Sequence, residues 1–128
     1  MNATQSITSF IGRILLSIIF IISGFGKLAN HSGTVDYINS VGAPLPEVAY
    51  WIALFAEIGL GLGLFVGFKA RFAAIGLAGF TLAATLLFHS NFSDQIQMIM
   101  FMKNLTIIGG LLLVVAYGAG AFSLDNRQ

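Results

Sequence analysis

Cysteine is absent from the chain, which removes thiol–disulfide exchange, cysteine-ligated metals and iron–sulfur chemistry from what it can do alone. Charge is almost as scarce. Asp, Glu, Lys and Arg make up 9% of the 128 residues, against about 25% in soluble domains, and that shortfall excludes an ordinary globular core. The net charge is only +1 with no basic run, so no nucleic-acid partner is expected. No dinucleotide, P-loop, nucleophile or metal-hydrolase motif occurs. The two histidines, His31 and His89, lack a carboxylate at ligand spacing, so no metal site and no intrinsic cofactor are expected.

What is present is apolar sequence. The chain is 57% hydrophobic with a mean hydropathy of +0.91. Its apolar stretches predict four spans, at about 7–28, 48–68, 70–89 and 95–119. A bilayer core about 30 Å thick takes about 20 residues of helix to cross, and each stretch is near that length. The first has no basic n-region or small-residue cleavage site and reads as a permanent span. The expected fold is an all-α, up-down-up-down bundle of four transmembrane helices in one domain, 1–128. Matches to N-x-[ST] at Asn2, Asn91 and Asn104 read as chance.

The one long connection, 29–47, should hold a short helix at 34–41, with Val35, Ile38 and Val41 on one apolar face. Gly42 suits the left-handed position after it, and Pro44 and Pro46 keep the chain extended. This helix either lies on the bilayer surface or plugs the bundle mouth. Ser93 or Asp94 should cap the last span. Arg13, Lys69, Arg71 and Arg127 fall at one end of the spans, Lys27 and Lys103 at the other. The positive-inside rule then places both termini in the cytoplasm and the long first connection outside.

Polar residues form stripes at helical spacing: Arg13, Ser17, Phe20, Gly24 and Lys27; Thr81, Thr85 and His89; Lys103, Thr106, Gly110, Leu113 and Tyr117. Lipid cannot solvate such groups, so the stripes should face inward. Glu57 lies near the middle of its span, about nine residues in, at the same depth as Lys103 from the same surface. The simplest arrangement pairs the two, with Asn104 and the threonines as hydrogen-bond partners. Such a pair can serve a ligand or only fix helix register. The candidate ligand-binding set is Lys27, Glu57, His89, Lys103 and Asn104, in an outer pocket roofed by 34–41. Arg13, Tyr117, Thr81 and Thr85 read as structural polar groups, with Arg13 reaching an interface and the Tyr117 ring. Gly59, Gly63 and Gly67 form a small-residue track for close helix approach, joined by Gly61, Gly76 and Gly79; these faces could also seat a homo-oligomer.

Several stretches carry a resemblance: GRILLSIIFIISGFGKL (12–28), GTVDYINSVGAPLP (33–46), AEIGLGLGLFVGFKAR (56–71), FTLAATLLFHSNFSDQIQMIMFMKNLTIIGG (80–110) and GAFSLD (120–125). The chain resembles the DoxX family, in its YqjF-like branch of bacterial inner-membrane proteins. The resemblance implies four transmembrane helices. It also implies association with membrane oxidoreductase systems, with a quinone site or an anchoring role and an oxidoreductase partner subunit. The chain is not expected to be catalytic alone. The alternatives are a structural or assembly protein without a ligand, or a small-molecule permeation component.

Overall fold

A computed structural model describes residues 2–127. Helix α1 covers Ala3–Ala29, α2 His31–Ser40 and α3 Pro46–Phe55. A π-helical turn, Ala56–Leu60, leads straight into α4, Gly61–Val66; α5 covers Ala70–Phe88 and α6 Gln95–Tyr117. Helix α3, the π turn and α4 form one continuous span, so four helical segments are long and apolar enough to cross a membrane: Ala3–Ala29, Pro46–Val66, Ala70–Phe88 and Gln95–Tyr117. Among the described residues there is no strand.

Local chemistry sets the ends of these helices. Asn2 and Gln5 form a reciprocal capping box at the start of α1. Pro46 opens α3, where its missing N–H costs nothing. Gly67 turns the chain between α4 and α5 with φ of +73°. The Asp94 side chain accepts from the Ile96 and Gln97 N–H groups and caps α6.

The helices alternate in direction. Lys27 lies beside Glu57 and Arg13 beside Leu64, so α1 runs antiparallel to the second span. Thr85 meets Asn104 while Arg71 reaches Ala116, so α5 is antiparallel to α6. The main core joins Phe20, Leu64, Ala73, Ala74, Leu77, Ala78 and Leu111. A second cluster closes the other end, where Ile38 and Ala43 pack with Tyr50 and Leu54, flanked by Val35, Val41, Ile58 and Phe88.

Helix α2 is therefore a plug, with Tyr37 stacked on Phe88 at 5.4 Å between centroids. It starts at His31, three residues before the expected 34, and Gly42 follows it with φ of +79°. The expected glycine faces hold in part: of 59, 61, 63, 67, 76 and 79, Cβ atoms at Gly61, Gly63, Gly67 and Gly76 would meet other segments within 3.3 Å, and Gly24 of α1 joins them. Cβ atoms at Gly24 and Gly61 would stand 2.5 Å from Ile58 and 3.2 Å from Ile21, whereas one at Gly59 or Gly79 would meet nothing within 4 Å. Gly59 lies inside the π turn, whose extra residue per turn shifts its face from the one it would take in a regular helix.

Candidate functional site

Glu57 sits in the π turn, 4% exposed. Gly24 has no side chain to hold the helices apart, and a Cβ there would lie 3.3 Å from the Glu57 Cβ. One turn further along α1, Lys27 points at the same carboxylate. Its Nζ lies 2.5 Å from Glu57 Oε1 and donates to Ser23 Oγ at 2.9 Å. The Tyr50 hydroxyl donates to the Lys27 carbonyl at 3.0 Å and fixes the end of α1. The buried acid is thus paired from α1, not from α6. Two further participants, Ser23 and Tyr50, escaped the sequence reading. Ser23 lies four residues before Lys27, which was a usable signal.

The expected Glu57–Lys103 pair does not form. Helix α6 packs mainly on α5 and turns Asn104, Ile108, Leu111 and Val115 inward. Lys103 and Thr106 are exposed, and Leu113 and Tyr117 are 62% and 69% exposed, so the predicted stripe on α6 faces outward except at Gly110, which packs on Leu16 of α1. The reason is relative cost. Asn104 can be buried because its Nδ2 donates to Thr85 Oγ1 at 2.9 Å, whereas burying the Lys103 ammonium needs a counter-ion. Its long stem lets the ammonium rise toward the α2 end, since helical side chains lean toward their N-terminus.

On α5, Thr81 and Thr85 are buried, and Thr85 Oγ1 donates to the Thr81 carbonyl at 2.6 Å. His89 follows one residue beyond the end of α5. Burial, and then the Lys103 charge, hold its imidazole below the ordinary histidine value. Thr81 Oγ1 and His89 Nδ1 are buried with no hydrogen-bond partner among the described residues. Ile58 of the π turn and Phe88 of α5 flank one apolar cluster, which places the Lys27–Glu57 pair and the Thr81–His89 line in the same half of the bundle.

Arg13 does something else. It is only 2% exposed and reaches neither an interface nor Tyr117. Its Nη1 donates to the Leu64 and Phe65 carbonyls at 2.7 and 2.5 Å, and its Nη2 to the Phe122 carbonyl at 2.6 Å. The guanidinium thereby ties α1, the end of α4 and the C-terminal tail together. Leu124 and Asp125 donate backbone N–H groups to Val66 and Gly67, and the Asp125 carboxylate accepts from the Lys69 and Ala70 N–H groups at the start of α5.

A small bundle of four membrane spans, with a buried ion pair in one half and an arginine clamp in the other, defines a polytopic membrane protein. The DoxX family matches residues 8–90. The chain is 42% identical over 98% of its length to the inner membrane protein YqjF of Escherichia coli K12, covering 95% of that protein. It is 37% identical to the inner membrane protein YphA of the same organism, over 98% of the chain and 94% of the relative. A shorter match, 32% identical over 59% of the chain and 54% of the relative, is to CatD of Bacillus subtilis strain 168, whose given name proposes an oxidoreductase. No solved structure matches. The chain belongs to the DoxX family, as a multi-pass inner-membrane protein.

Proposed function

We propose that the protein is an accessory subunit of a membrane oxidoreductase system and seats a quinone head group in the half of the bundle under α2. The observation that carries this reading is the pair of orphaned polar atoms, Thr81 Oγ1 and His89 Nδ1, buried in the same half as a charged Lys27–Glu57 pair. Buried hydroxyl and imidazole groups cost free energy when unpaired and are retained where a ligand completes them. A quinone head is neutral and offers two carbonyl acceptors. The donors present fit it: the Thr81 hydroxyl, the Asn104 amide, the Lys27 ammonium, and Lys103 at the rim. His89, kept neutral by burial, can donate or accept at Nδ1 according to its tautomer. Glu57 holds Lys27 in place and balances its charge. A bound quinone would supply the electron-accepting chemistry that the side chains lack.

The name of CatD supports the association with an oxidoreductase. A second reading rests on Arg13, whose three carbonyl bonds show a buried charge used here only to join elements. In that reading Lys27–Glu57 fixes register and binds nothing. Extraction in a mild detergent distinguishes the two. A quinone or a partner enzyme recovered with the protein, and lost in the T81V and H89Q variants, supports the proposal. A protein that purifies alone and quinone-free contradicts it. The orientation we propose places both termini in the cytoplasm and α2 outside, following the four-to-two distribution of Lys and Arg.

A further inference from the structure

The end of the bundle away from α2 has a cleft of about 680 Å³, lined by the start of α5, the end of α6 and the folded-back tail. Lys69, Arg71, Tyr117 and Gly118 line it, and Asp125 supplies a carboxylate. Both carboxylate oxygens are already committed. Oδ1 accepts from the Lys69 N–H at 2.6 Å and Oδ2 from the Ala70 N–H at 2.9 Å, so Asp125 is satisfied by the backbone that opens α5. Neither the Lys69 nor the Arg71 side chain has an acidic partner among the described residues.

Gly118 makes room for Arg71. A Cβ there would stand 3.2 Å from Arg71 Nε, and its φ of +78° is one that L side chains rarely adopt. The guanidinium lies across the end of α6, with Nη2 3.5 Å from the Ala116 carbonyl. It is steered there while most of its N–H groups stay free. The exposed Tyr117 adds a hydroxyl on the same wall. Among the described residues lining the cleft, Lys69 and Arg71 are cations while the one carboxylate, Asp125, is committed to backbone N–H groups, so the wall favours an anion such as a phosphodiester. The planar fork of Arg71 matches two phosphate oxygens. The cleft also lies where two spans end, at the depth of lipid head groups.

From this geometry we infer that the cleft binds a phosphate group, presented at the membrane surface by the head of an anionic phospholipid. The inference does not depend on the quinone-site reading, which concerns the other half of the bundle. Native mass spectrometry of the protein released from nanodiscs of phosphatidylcholine mixed with phosphatidylglycerol tests it. The unmodified protein should retain phosphatidylglycerol in preference, and K69Q/R71Q together should reduce that preference about tenfold or more. R71K, which keeps the charge but loses the fork, should fall between them, and adding N39K to K69Q/R71Q, which returns a cation on the exposed face of α2 at the opposite end, should not restore it.

Retention that survives excess inorganic phosphate identifies the lipid as the source. Displacement by inorganic phosphate, with equal protection against heat, identifies a free phosphate in the same site. Undiminished preference in K69Q/R71Q, or its recovery when N39K is added, overturns the inference. If the double variant does not fold, salt titration of the unmodified protein decides, because retention indifferent to ionic strength is incompatible with a two-cation site.

Discussion

Glu57 and Arg13 are both buried in membrane-spanning helix, yet they are satisfied in different ways. Arg13 is spread over three carbonyls, whereas Glu57 depends on the single ammonium of Lys27. Lys27→Met should therefore destabilise the bundle by about 3–5 kcal/mol, since it leaves the buried Glu57 charge alone; Glu57→Gln, which leaves the half-buried Lys27 bonded to Ser23, should cost less, and the double change should recover much of the Lys27→Met loss. Thermal melting of the three variants in one detergent checks this; additive losses would mean that the two side chains do not act as a pair. His89 makes a prediction in pH. Its imidazole is held below the ordinary histidine value, so the unfolded chain binds a proton more readily than the folded one. Its contribution to stability should be full above the ordinary value of about 6.5 and should fall as the pH drops from there through the depressed value. H89Q should flatten that part of the stability profile. Sequence showed that Glu57, Thr85 and Asn104 belong at depth, because each is polar within an apolar run, and set Lys27 nearer the outer mouth. It could not show that Glu57 takes Lys27 in place of Lys103, because equal depth says nothing about which helices touch.

The deciding elements are the π turn and the face of α6. Residues 59, 63 and 67 form one packing track when 3.6 residues per turn is assumed; Gly63 and Gly67 do meet their neighbours, but Gly59 does not, and nothing in composition announces the extra residue in Ala56–Leu60. Close approaches at Gly24 and Gly61 join α1 to the second span, and Gly76 of α5 meets Leu60. Gly24→Val should therefore push Ile58 and Glu57 away and cost about 1–3 kcal/mol. Gly59→Ala and Gly79→Ala, which meet open space, should be neutral or stabilising by up to about 1 kcal/mol through helix propensity. Equal costs at all three positions would restore the glycine track. On α6 the apolar residues lie nearly all round the helix, so hydrophobic pattern alone could not choose its inward face. That choice belongs to Asn104 and its bond to Thr85. Helix α2 was legible in the spacing of Val35, Ile38 and Val41, and the packing of its Ile38 on Tyr50 and its Tyr37 on Phe88 decides between a surface helix and a plug.

At the scale of the molecule, the four spans followed from hydropathy and length, whereas the fold-back of the tail did not, since GAFSLD is short and carries no strong periodicity. The resulting bundle is closed by α2 at one end and by the Arg13-held tail at the other, and its orientation is open to direct test. Cysteines placed at Asn39 and Asn126, both exposed, should label from opposite sides of the membrane, with Asn126 cytoplasmic; labelling from one side would break the alternation. The central claim is that the half under α2 holds a ligand against inward-facing polar groups. Two threonines make the sharpest comparison: Thr81 is buried with its hydroxyl unpartnered, while Thr106 is exposed with its hydroxyl bonded to Lys103 of its own helix. Binding of a quinone analogue to the purified protein in nanodiscs should weaken about three- to tenfold in T81V, the loss expected for one neutral hydrogen bond, and stay unchanged in T106V. Equal affinities in T81V, T106V and the unmodified protein would contradict the account and leave the polar seam a purely structural feature.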